Sequence, residues 1–87
     1  MITSEQIKMA RSALGWSVEI LAEASSVSAR TIHRIEVQAG LPNATAGNLK
    51  LLRETLEGAG IEFIGHADEG PGVRLWKRQE NLSKNDK

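Results

Sequence analysis

Val18 to Glu36 reads VEILAEASSVSARTIHRIE. Val18, Leu21 and Ala22 fall on one helical face, and Glu19 and Glu23 form the wet one. Ser17 precedes this helix as a cap. Ser25-Ser26-Val27-Ser28 breaks it, and Ser28 can cap a further helix from Ala29 to about Val37. Ile32 and Ile35, with Val27 ahead of them, give the buried stripe of that helix. Ala29, Arg30, His33 and Arg34 lie on the opposite side. Ala22 is small where the two helices must cross closely. The second helix is thus anchored by one side and projects the other, at an angle suited to a DNA major groove.

Upstream, Thr3 or Ser4 can cap a first helix. Thr3 followed by Gln6 fits a capping box. Ile7, Ala10 and Leu14 recur on one face, and Gly15 stops the helix. Downstream, a loop holds Gly40 and Pro42. Asn43 is then the expected cap of a fourth helix ending near Glu57, with Leu49, Leu52 and Leu56 inward. Gly58-Ala59-Gly60 supplies its stop. Ile61–Ile64 and Val73–Trp76 begin with apolar–polar alternation and read as two short strands. The stretch between them, with Gly65, Gly70, Pro71 and Gly72, reads as a long loop. The polar tail from Lys77 onward is expected to fray.

The whole chain is 87 residues, which bounds it to one domain with a thin core. Its only aromatics are Trp16, Phe63 and Trp76, so that core must be aliphatic. With no cysteine, disulfide scaffolds, thiol enzymes and Cys-ligated zinc are excluded. No apolar run is long enough to span a bilayer and no export signal opens the chain, so a cytoplasmic protein without a membrane partner is expected. No nucleophile–base pairing, metal-ligand cluster or phosphate-cradling glycine loop stands out. The expectation is therefore no enzyme, no metal and no cofactor.

Eleven basic residues balance eleven acidic ones. The balance is not uniform. From Ser25 to Arg53, Arg30, Arg34, Lys50 and Arg53 stand against Glu36 alone, a local balance of +3. Such a patch can contact phosphates although the total cancels.

The chain resembles the small helix-turn-helix regulators related to phage Cro and repressor proteins, the XRE family. The resemblance runs from Gln6 to about Leu56. It is carried by Arg11-Ser-Ala-Leu-Gly15, Leu21-Ala22-Glu23-Ala24, Val27-Ser28 and Thr31-Ile32-His33-Arg34-Ile35-Glu36. Leu56 to Ile64 and Gly72 to Leu75 look like a C-terminal extension found in a subset of such bacterial regulators. The resemblance implies roles. Ala29, Arg30 and Arg34 would face base edges. Ser28, Thr31, His33, Asn43 and Lys50 would meet the DNA backbone, with Thr45 as an alternative after the loop. Arg11 and Glu36 match a salt bridge tying the first helix to the recognition helix. Two positions depart from the family pattern. Val18 stands where a glutamine often meets a phosphate, and Ser26 where the turn usually has glycine.

The expected architecture is mainly α: a four-to-five-helix, repressor-like helix-turn-helix domain over residues 1–60. A two-strand element follows over 61–76, then the tail 77–87. The expected function is sequence-specific binding of double-stranded DNA as a transcriptional regulator, a repressor in its simplest form. One recognition helix offers a small interface, so a homodimer on an inverted repeat is expected. Ile61, Phe63, Val73, Leu75 and Trp76 are the expected dimer contacts, since two short strands leave open edges. The competing reading is a protein–protein module or an antitoxin-like component with a protein partner. Zero net charge and Val18 favour it.

Overall fold

The computed structural model describes residues 1–76, so the expected tail at 77–87 lies outside the described residues. Four helices precede one hairpin: α1 (Ser4–Ala13), α2 (Val18–Ser25), α3 (Ala29–Glu36), α4 (Ala46–Gly58), β1 (Ile61–His66) and β2 (Glu69–Leu75). The protein is therefore mainly helical, with a C-terminal antiparallel two-strand sheet. Among the described residues no helix is long and apolar enough to cross a membrane.

Local chemistry sets the helix boundaries. Thr3 accepts from the Gln6 N–H at 3.0 Å, and the Gln6 side chain accepts from the Thr3 N–H at 2.9 Å. Ser17 and Ser28 cap α2 and α3 through the N–H groups of Ile20 and Thr31. Gly15, at φ 71°, turns the chain out of α1.

Ser26 ends α2 in the left-handed region, at φ 68°. It is exposed, so nothing in the core compensates for a Cβ in that conformation. Ser26→Gly is expected to raise stability by about 1 kcal/mol, read as a higher midpoint of thermal unfolding. A lower midpoint would mean that the serine hydroxyl makes a contact which outweighs the strain.

The start of α4 corrects the expectation. Thr45, not Asn43, is the N-cap, and its hydroxyl oxygen accepts from the Asn48 N–H at 3.1 Å. Asn43 belongs to the preceding loop. Its N–H donates to the Gln38 side chain at 2.7 Å, and its carbonyl accepts from Arg34 at 3.3 Å.

The core is one aliphatic cluster. Ile7 and Ala10 of α1 meet Val18 and Leu21 of α2, Ile32 and Ile35 of α3, and Leu52 and Leu56 of α4. Ile2, Val27 and Ile61 complete it. Burying a side chain of this size contributes about 1.5–3 kcal/mol, so this cluster dominates folding. Trp16 and Phe63 only pack against its margin.

The hairpin is tighter than its glycines suggest. Only Ala67 and Asp68 separate the strands, which pair in register from Ile61↔Leu75 to Ile64↔Gly72. Between Ile64 and His66 the register shifts. Gly65 (φ 80°) and Gly70 (φ 67°) sit at that shift and let the two backbones close in. The long loop is thus replaced by ladder, and Trp76 lies just beyond β2, its N–H donating to the Gly60 carbonyl at 2.8 Å.

One side chain joins the hairpin to α1. The buried Gln6 amide donates to the carbonyls of Ile64 and Gly72, each at 2.9 Å. Those residues are register partners, so Gln6 holds both strands at once. The hairpin is accordingly part of the protomer's own core. Ile61, expected at a dimer interface, is only 3% exposed, and Phe63, Val73 and Leu75 pack against the core cluster. Of the five expected interface residues, only Trp76 is largely exposed, at 66%.

Candidate functional site

The α2–α3 unit presents the side chains of interest. Ile32 and Ile35 are fully buried, which fixes the roll of α3 about its axis. Arg30, His33 and Arg34 are then exposed together. Arg30 and Arg34 form no ion pair among the described residues. Ala29 is half-buried and packs against the core, so it gives α3 close footing more than an outward surface.

At the start of α3, Ser28 is occupied locally. Its hydroxyl accepts from the Thr31 N–H at 3.1 Å and donates to the Thr31 hydroxyl oxygen at 3.0 Å. The Ser28 proton is therefore committed within the cap. The Thr31 hydroxyl proton is the donor left for an incoming acceptor.

Behind this surface, Arg11 and Glu36 meet in a two-pronged pair, at 2.7 and 2.8 Å. A third Arg11 N–H donates to the Trp16 carbonyl at 2.9 Å. The hydrogen bond to Glu36 raises the Arg11 pKa further above its already high ordinary value, so Arg11 stays charged. The pair links the end of α1 to the end of α3 and consumes the acid that would offset Arg30 and Arg34. Glu36 is 7% exposed, so it is scaffold and not surface.

Past α3, residues 37–45 are held on two sides. Glu5 accepts from the Gly40 N–H at 3.0 and 3.2 Å through its two oxygens. Backbone N–H groups, its own first and then that of Gly40, hold its carboxyl below the usual carboxylate range. On the other side, Gln38, Asn43 and Arg34 close a ring of hydrogen bonds. Asn43 is thereby kept beside α3. Lys50 stands exposed on α4, 4.0 Å from Glu54, a loose i,i+4 pair of little strength.

Two other features lie apart from α3 in composition. A hollow of about 230 Å³ is lined by Met1, Ile2, Ala46, Leu49, Lys50 and Arg53. On the hairpin, Glu62 accepts from Arg74 at 3.1 Å and from the Trp76 indole at 2.7 Å, and the Arg74 guanidinium lies 5.4 Å from the Trp76 ring centre. No group of three or more His, Asp or Glu side chains is placed to hold a metal among the described residues.

Gln6, Glu5 and Gln38 are the residues that sequence reading missed. Gln6 was legible as half of a capping box, but not as the hairpin's clamp, because its partners are 58 and 66 residues away. Gln38 stands four residues after Arg34, a spacing that places the two side by side only if the helical path persists past Glu36. Compared with known proteins, the chain matches no family model, and no curated protein is significantly similar to it.

Proposed function

We propose that this protein is a sequence-specific DNA-binding transcriptional regulator with a repressor-like helix-turn-helix fold, in which α3 enters the major groove. One observation carries the reading. A short capped helix, anchored by Ile32 and Ile35, turns two exposed arginines outward, neither in an ion pair among the described residues, beside a single acid already neutralised by Arg11. Arg30 and Arg34 take base edges, since a guanidinium fork matches the two acceptors of guanine. Thr31, His33, Asn43 and Lys50 take phosphate or sugar.

A single eight-residue helix reads few bases, so the working unit is a homodimer on an inverted repeat. The hairpin's inner face is committed to the protomer. Its outer face, with Trp76 and the Glu62–Arg74 pair, is the part left for the second copy.

Arg30→Ala and Lys50→Ala distinguish the two kinds of contact. Arg30→Ala is expected to weaken binding to the preferred duplex by about tenfold or more and to relax the preference at one base pair per half-site. Lys50→Ala is expected to weaken all duplexes alike and to flatten the salt dependence. Titrations on preferred and scrambled duplexes read both. Equal loss on the two duplexes for Arg30→Ala would reassign Arg30 to the phosphates.

A further inference from the structure

The ring of Arg34, Gln38 and Asn43 has a direction. The Gln38 amide donates to the Arg34 carbonyl at 3.0 Å. The Asn43 N–H donates to the Gln38 side-chain oxygen at 2.7 Å. The Arg34 guanidinium donates to the Asn43 carbonyl at 3.3 Å and closes the circuit. Each residue gives one hydrogen bond and receives one. Gln38 uses both ends of its amide in it, and it is the only one of the three whose part is wholly side chain.

The consequence falls on Arg34. A free arginine samples many rotamers, and binding must select one. Here one guanidinium nitrogen is held by the Asn43 carbonyl, and the others make no hydrogen bond among the described residues. The fork is tethered at one corner with its remaining donors open. The same ring holds Asn43 beside α3, so the base-edge donor and the loop move together.

We propose that Gln38 is a positioning residue for DNA recognition, which pre-orders Arg34 and the Asn43 loop without touching DNA itself. The role rests on the DNA-binding reading above. The test is Gln38→Met, which keeps length and loses both hydrogen bonds. Binding to the preferred duplex is expected to fall about fivefold, the cost of ordering a rotamer-rich side chain. The base preference should flatten at the same position that Arg34→Ala flattens. Placed on Arg34→Ala, Gln38→Met should leave the base preference unchanged, because the guanidinium it orders is gone, and should cost only the smaller, sequence-independent share that comes through the Asn43 loop. Hydrogen exchange at the Asn43 amide reads the ring without DNA: slow in the parent, fast in Gln38→Met. Intact affinity and base preference in Gln38→Met would overturn the proposal, and so would an equal loss on every duplex sequence. A parent protein that prefers no duplex, with Asn43 still protected, would sink the DNA-binding reading and the role with it, while leaving the ring established.

Discussion

Arg11→Ala is expected to cost about 3 kcal/mol of folding stability. The substitution leaves the Glu36 carboxylate buried at 7% exposure, without either prong of its partner, and leaves the Trp16 carbonyl without its donor. Breaking a fully buried pair costs about 3–5 kcal/mol. Arg11 keeps 18% exposure, so water can reach part of the site and the lower end applies. A domain of this size has about 4–13 kcal/mol in total, so the loss is a large fraction. Urea unfolding followed by tryptophan fluorescence measures it. Arg11→Lys is the companion variant, because it keeps the charge and loses the fork, and it should fall between the two. A loss below about 1 kcal/mol for Arg11→Ala would show that the pair behaves as an exposed one.

Gly65→Ala is expected to be nearly as damaging, by about 2–4 kcal/mol. Two causes add. Gly65 has φ 80°, which a Cβ disfavours, and that Cβ would lie 2.5 Å from the Gly70 carbonyl oxygen. The obstacle is backbone, so no side chain can swing aside. The hairpin must open at its register shift, and Gln6 then loses the paired carbonyls it bridges. Gly70→Ala is the internal control. It shares the positive φ, at 67°, but nothing lies within 4 Å of its Cβ, so only the strain of about 1–2 kcal/mol remains. Equal melting temperatures for the two variants would show that crowding at Gly65 contributes nothing.

The contrast between these residues explains what was legible in the sequence. Caps at Thr3, Ser17 and Ser28 depend on neighbours three residues away, so they could be read directly. The buried stripes of α1, α2 and α3 follow from helical spacing for the same reason. Arg11 and Glu36 are 25 residues apart, and only the family resemblance joined them before the fold did. Asn43 and Thr45 are both good cap residues. Arg34 of α3 and Gln38 of the same loop held Asn43 there and left Thr45 to start α4. The glycines at 65 and 70 signal positive φ without saying whether the chain is loop or ladder. The strands had to pair before that was decided. Ile61 carried no sign of whether its apolar side chain served the protomer or a second copy. The thin core used it.

On the proposed function, α3 reads DNA sequence. Selection of a random duplex library with the purified full chain, followed by sequencing, tests it most directly. Enrichment of an inverted repeat whose half-sites lie about one helical turn apart is expected. Absence of any enriched sequence at both low and physiological salt would contradict it and would favour a protein partner instead.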